Sequence, residues 1–356
     1  MSLVPDRDGD GARDVAVVFA TFPERQGPRG TLVLCSGRTG VLLSRLALDE
    51  LEPDRIVWIG PGADTESLLG VWLTPGEGTS DGSLARLVLE GPTRVTLVDI
   101  EALDTDRLGW DATGAFAPAS GAGLVIVDRT SREQMGRLRV VDRNDGRELA
   151  RCTGEQLRLA FDGVRGSETG ADADGRWLLL SRRENKLAIT DRAWGMQLVW
   201  SVPELVNAVW TPDLDGDRVR DVVAVQLESQ QVEHLVAYSG ANGTELWRQP
   251  HRDLFSSFGA SLDVSWARGG GVQLAVSSPN TFFDPQHGDA GRIDVLELAS
   301  RTRKAVFEGA DELDYLGGRV LWGDRDAIAE VRMLFATALD PACHEALVRA
   351  YVVRGE

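Results

Sequence analysis

Trp210-Thr211-Pro212-Asp213-Leu214-Asp215-Gly216-Asp217-Arg218-Val219-Arg220-Asp221-Val222-Val223-Ala224-Val225 decides how this chain is organised. An aromatic residue closes one short apolar run, and a turn-rich acidic loop follows. The β-branched run after the loop is too short and too branched to prefer a helix. The same order recurs along the chain. Its anchor is Leu3, Trp58, Trp110, Phe161, Trp210, Trp266 and Trp322, at spacings of 55, 52, 51, 49, 56 and 56 residues.

After each anchor comes a buried β-run: residues 15–19, 69–73, 124–127, 177–180, 222–225, 273–276 and 331–335. Most units then add a third strand and a hairpin. Leu235-Val236-Ala237-Tyr238 turns through Ser239-Gly240-Ala241-Asn242-Gly243 into Thr244-Glu245-Leu246-Trp247, and residues 31–34 turn through Ser36-Gly37-Arg38-Thr39-Gly40 into 41–43. Residues 138–141 do the same through Asn144-Asp145-Gly146. Asn-Gly and Asp-Gly supply the positive φ angles that tight hairpins demand.

Each unit therefore reads as four antiparallel strands. Units at 1–50, 51–103, 104–154, 155–204, 205–255, 256–312 and 313–356 predict an all-β chain forming one seven-bladed β-propeller, because radial repetition leaves few edges unpaired. The aromatic anchors read as wedges between neighbouring blades. Aligning Val352-Val353-Arg354-Gly355-Glu356 on Ala237-Tyr238-Ser239-Gly240-Ala241 ends the chain inside the last hairpin. The expectation is a three-stranded last blade, or one completed by sequence outside this chain, with an edge that invites pairing.

At 356 residues, 43% hydrophobic and 26% charged, the chain has the composition of a globular protein with ample core. No apolar run approaches the roughly 18 to 20 residues of a spanning helix. Fifty-five acidic residues against 38 basic ones give a net charge of −17, so a phosphate backbone is repelled and nucleic acid is not an expected partner. Cys35, Cys152 and Cys343 are odd in number and far apart, implying neither a disulfide framework nor a zinc site.

Two units carry the same acidic loop. One is Asp6-Arg7-Asp8-Gly9-Asp10-Gly11-Ala12-Arg13-Asp14, and the other, 207 residues on and at the same point of the repeat, is Asp213 to Asp221. Four carboxylates at positions 1, 3, 5 and 9 repel one another unless a cation sits among them. Glycine at position 4 allows a sharp bend, and the position 7 carbonyl, Ala12 or Val219, can turn inward. The donor set of Asp6, Asp8, Asp10, Ala12 and Asp14, or of Asp213, Asp215, Asp217, Val219 and Asp221, is all oxygen and suits Ca²⁺ better than Mg²⁺. A solvated acidic turn is the alternative, and the matched second copy weighs against it. Both loops lead into β-runs and lack a glutamate at position 12, which disfavours an EF-hand. Two calcium ions are expected. Asp324, Asp326 and Glu330 form a weaker third candidate, without the glycine and one carboxylate.

These loops resemble the FG-GAP repeats of integrin α-subunit propellers and of bacterial VCBS-type secreted proteins. Phe258-Gly259 with Ser277-Ser278-Pro279, and Leu316-Gly317, echo the name-giving pattern. The resemblance implies a seven-bladed propeller, calcium between the first two strands of a blade, extracellular or periplasmic placement, and binding rather than catalysis. The start, MSLVPDRDGDG, lacks a secretory signal, so that placement carries the expectation that the chain is a fragment of a longer protein.

Against an enzyme, His234, His251, His287 and His344 show no HxH or HExxH spacing, and no GxSxG or GxxxxGK[ST] occurs. Residues 188–200 and 237–247 look like the tryptophan-docking repeats of quinoprotein dehydrogenases, though eight blades and a vicinal cysteine pair are not evident. A carbohydrate-binding propeller, lectin or polysaccharide-lyase-like, is the other alternative. Its candidate surface is His251, Phe255, Phe282, Phe283 and His287; the Phe282-Phe283 pair sits in a long loop and either meets a ligand or folds back on that loop. The expected partner is thus a protein or glycan.

Overall fold

The structure is a computed structural model that describes residues 1–21, 29–49, 53–61, 67–73, 83–90, 94–102, 115–118, 123–128, 137–142, 148–153, 163–165, 176–181, 186–191, 198–203, 205–228, 232–251, 261–266, 271–279, 291–309, 316–318, 320–323, 331–339 and 346–354. Among these residues every regular element is a strand, and none is a helix. The first sheet is β1 (Ser2–Val4), β2 (Asp14–Thr21), β3 (Arg29–Cys35) and β4 (Leu42–Asp49). The second is β5 (Pro53–Pro61), β6 (Ser67–Leu73), β7 (Ser83–Glu90) and β8 (Arg94–Ala102). The third is β9 (Ala115–Pro118), β10 (Gly123–Asp128), β11 (Arg137–Asp142) and β12 (Glu148–Thr153). The fourth is β13 (Gly163–Arg165), β14 (Arg176–Ser181), β15 (Lys186–Asp191) and β16 (Leu198–Pro203).

The fifth sheet is β17 (Leu205–Trp210), β18 (Val222–Glu228), β19 (Val232–Tyr238) and β20 (Glu245–His251). The sixth is β21 (Leu262–Trp266), β22 (Val272–Ser278), β23 (Arg292–Glu297) and β24 (Thr302–Glu308). The seventh has three strands, β25 (Val320–Trp322), β26 (Val331–Leu339) and β27 (Ala346–Arg354). In each sheet the strands follow chain order, and each sheet lies within one sequence unit. Leu3, Trp58, Trp210, Trp266 and Trp322 all fall on first strands, whereas Trp110 and Phe161 lie outside the described residues. In the second to sixth sheets the pairing of third and fourth strands shifts register once, which kinks and twists the fourth strand.

The chain clusters into two compact units. One contains Met1–Val17, Val33–Leu43 and Val206–Glu356, and the other Val18–Leu32 and Ser44–Leu205. In the second unit, β9 lies beside both β5 and β13. In the first, the sixth sheet buries both faces. Leu274, Val276 and Leu296 pack with Val223, Val225, Leu235 and Ala237 of the fifth sheet. On its other face Ala275, Ile293 and Val295 pack with Trp322, Leu334, Ala336 and Val353 of the seventh. Packing on both sides leaves β22 and β23 buried along most of their length, including the polar Gln273, Ser277, Ser278 and Asp294.

The seventh sheet turns its other face to the first. A Cβ on Gly323 would stand 2.8 Å from the Gly37 carbonyl oxygen, and one on Gly40 would stand 2.7 Å from Ala350 Cβ and 3.4 Å from Met333 Cε. The last sheet is therefore packed between the sixth sheet and the β3–β4 hairpin.

Candidate metal centre

The two acidic loops join the first and second strands of the first and fifth sheets, and they fold alike. Asp6 accepts the Gly9 N–H on Oδ1 at 2.7 Å and the Gly11 N–H on Oδ2 at 2.8 Å. Asp213 accepts Gly216 N–H at 2.6 Å and Arg218 N–H at 2.8 Å in the same way. Asp8 and Asp10 each cap the N–H two residues on, as Asp215 and Asp217 do. These are Asx turns in series, in which short side chains replace the missing ladder. Ala12 and Val219 take part through their N–H groups, donated to Asp10 and Asp217.

The bend needs left-handed backbone twice. Gly9 and Gly216, the position 4 glycines expected to allow a sharp bend, have φ of 79° and 89°. Position 6 is left-handed as well, at 87° for Gly11 and 70° for Arg218, and there one copy manages without glycine.

Asp14 and Asp221 close the loops from below. Both are fully buried, and each accepts two backbone N–H groups: Arg7 at 2.7 Å and Gly37 at 3.0 Å for Asp14, Leu214 at 2.5 Å and Gly240 at 3.0 Å for Asp221. Each thus ties its loop to the hairpin that follows the third strand. The role of the hairpin glycines had no signal in local sequence.

One carboxylate oxygen from each of Asp6, Asp8 and Asp10 lies within 4.8 Å of the others, and the same holds for Asp213, Asp215 and Asp221. Asp14 and Asp217 do not join these sets. The hairpin serine beside each loop bonds differently: Ser36 donates its hydroxyl to Asp10 Oδ2 at 2.9 Å, whereas buried Ser239 Oγ at the matching position has no hydrogen-bond partner. Asp10 is thereby held in its cluster and Asp217 is not.

Burial raises the carboxyl pKa of Asp14, the N–H groups of Gly37 and Arg7 oppose this, and the charges of Asp8 and Asp10 add to the rise. Asp221 is raised by burial in the same way, against Gly240 and Leu214 N–H groups, with Asp215 and Asp217 as the like charges. At the rim the Gly11 N–H holds Asp6 below its ordinary value. For Asp213 the slight desolvation is outweighed by Arg218, Gly216 and Asp215 N–H groups. Each loop is thus an all-oxygen set of like charges with one carboxylate that pays for its ionisation, chemistry that fits a hard divalent cation.

The weaker candidates Asp324, Asp326 and Glu330 lie outside the described residues, as do Phe255, Phe282, Phe283 and His287. His251 ends β20. Phe258-Gly259 is likewise outside, while Ser277 and Ser278 are buried at the end of β22 and Gly317 has φ of 95°.

Compared with sequence families and with curated proteins, the chain matches none. Among solved structures it is similar to a hypothetical selenium-binding protein from Sulfolobus tokodaii, with a TM-score of 0.56 at 10% identity over 97% of this chain and 92% of that one. The C-terminal WD40 domain of Sif2 aligns at a TM-score of 0.49 and 10% identity, over 96% of this chain and 81% of that one. The first likeness supports a β-propeller fold, and at that identity it bears on the fold alone. No helix among the described residues is long and apolar enough to cross a membrane.

Proposed function

We propose that this chain is a calcium-binding β-propeller of the FG-GAP type, its seven sheets the blades of one wheel, that works by binding a partner and not by catalysis. The observation that carries the reading is the shared hydrogen-bond scheme of the two loops, each gathering three carboxylate oxygens within 4.8 Å. Asp6, Asp8 and Asp10, and Asp213, Asp215 and Asp221, would hold the ions. Calcium there would cancel the mutual repulsion of the carboxylates and fix the start of β2 and of β18. The role is structural, keeping the faces of the propeller in place for a protein partner. Millimolar calcium outside cells would fill even weak sites, which supports extracellular or periplasmic placement.

Calorimetric titration with calcium tests this. Two binding events are expected, one lost in Asp8→Ala and the other in Asp215→Ala. Heat unchanged by both substitutions would overturn the assignment.

A further inference from the structure

The hairpins that follow the third strands brace the two acidic loops unequally, although the hairpins themselves are built alike. Ser36 and Ser239 donate their N–H groups to Val41 and Thr244, both at 2.8 Å. Gly40 and Gly243, with φ of 72° and 75°, donate back to the two serine carbonyls. Gly37 and Gly240, the next residues after the serines, reach Asp14 and Asp221 at the same 3.0 Å. The two serines therefore occupy equivalent places, each one residue from the glycine that touches the carboxylate closing its loop.

From that place the Ser36 hydroxyl makes two bonds that Ser239 does not. It donates to Asp10 Oδ2 at 2.9 Å and accepts the Thr39 N–H at 3.1 Å. Arg38 adds a third tie, from Nη1 to the Asp10 carbonyl at 2.7 Å, and Ala241 at the matching position has no group to do the same. Ser239 is 2% exposed, and its buried hydroxyl has no hydrogen-bond partner. Asp217, the counterpart of Asp10, lies exposed, caps the Val219 N–H and stands outside the carboxylate set. A buried hydroxyl left unmet costs free energy that a bond to a carboxylate returns. The unmet hydroxyl and the carboxylate outside its set are two halves of one contact.

We propose that Ser239 is a positioning residue for Asp217: on calcium binding to the second loop, Asp217 turns in and accepts the Ser239 hydroxyl, as Asp10 already accepts that of Ser36. This rests on the calcium reading of the loops. Asp213, Asp215 and Asp221 repel a fourth carboxylate, and a cation among them removes that repulsion. The two sites are then unequal. The first loop holds Asp10 by its own bonds, so little ordering remains to be done when the ion arrives. The second must fix Asp217 at that moment, and its affinity is lower for it. The second loop is thus the one whose shape follows calcium concentration, with Asp217 turned in when calcium is high and released when it falls.

Single-site proteins separate the two loops. Asp215→Ala leaves the first loop intact and Asp8→Ala the second, and calcium calorimetry is expected to give a Kd about tenfold lower for the first. On the Asp8→Ala background, Ser239→Ala should weaken the remaining site about tenfold. With terbium as the probe ion, the same change should shorten the luminescence lifetime in H2O relative to D2O, because water takes the place of the Asp217 carboxylate. In chelator, Ser239→Ala should leave the melting temperature in place or raise it, since the hydroxyl removed has no partner there. Ser36→Ala should lower it in chelator, because Asp10 and Thr39 each lose a bond. That contrast distinguishes positioning from packing. Unchanged affinity and lifetime in Ser239→Ala, or a melt lowered as much in chelator as in calcium, would overturn the proposal, and so would equal Kd values at the two sites. No binding in either single-site protein would overturn the calcium reading itself, and this inference with it.

Discussion

Gly240 lies so close to Arg220 that a Cβ on it would stand 1.7 Å from the Arg220 carbonyl oxygen, while its own N–H reaches Asp221 Oδ1 at 3.0 Å. Gly37 meets Arg13 and Asp14 with the same two distances. The clash falls on backbone, so no rotamer relieves it. Gly37→Ala and Gly240→Ala are expected to lower stability by about 3 kcal/mol or more, above the usual cost of overpacking, because the hairpin must leave its buried carboxylate. Urea denaturation checks this, and a loss under about 1 kcal/mol in both variants would contradict it.

Arg218 holds φ of 70° where the twin loop has Gly11. A non-glycine residue in that region costs about 1 to 2 kcal/mol, and glycine gives back about 0.5 to 1 kcal/mol in unfolded-chain entropy. Arg218→Gly should therefore stabilise by up to about 1 kcal/mol, and Gly11→Arg should destabilise by a similar amount. Paired melts measure both; opposite signs would show that the Arg218 side chain has its own role.

What the sequence made legible and what it hid divide along contact range. The anchors at Trp58, Trp210, Trp266 and Trp322 fall on first strands because a short β-branched run closed by a bulky residue is a local signal. The acidic loops were readable for the same reason. Glycine at position 4 announces a sharp bend, but the left-handed Arg218 has no such signal, since nothing local forces arginine there. The brace from Asp221 to Gly240 spans 19 residues and that from Trp322 to Asp263 spans 59, and no periodicity encodes either. The three-stranded last sheet was expected from the repeat; the exposed apolar positions Val41 and Leu42 were not, because they follow from how the β3–β4 hairpin meets that sheet.

Calcium should stabilise the chain in proportion to the logarithm of its concentration. At a hundredfold over Kd each site adds about 2.7 kcal/mol, so a rise in Tm of about 5 °C or more is expected in millimolar calcium relative to chelator. Magnesium should do less, because it gives up its water reluctantly. Identical melts in calcium and chelator would leave the loops as acidic turns.

Cys35 ends β3 beneath the first loop and is buried. Burial, and after it the charge of Asp14, pushes its thiol up to about 11. The reactive thiolate forms only on deprotonation, so at pH 8 about one molecule in a thousand carries it. Iodoacetamide at pH 8 should label Cys35 slowly in the folded protein and quickly in urea, the folded-state rate rising about tenfold per pH unit while the fold persists. Peptide mapping separates it from the other cysteines, and labelling of the native chain within minutes at pH 8 would contradict this environment.

Asp263 joins the sixth and seventh sheets through Trp322. Its Oδ2 accepts the Trp322 backbone N–H at 2.7 Å, and its carbonyl accepts the indole Nε1–H at 3.2 Å. Both residues are buried, so removing the carboxylate strands a backbone donor that water cannot reach. Asp263→Ala should cost about 2 to 3 kcal/mol, and Asp263→Asn should recover part of it, since an amide oxygen still accepts the bond at the same place. Urea midpoints of the two variants separate this from a general loss of packing, which both would share. Equal destabilisation by alanine and asparagine would mean that the charge, and not the acceptor, holds this seam.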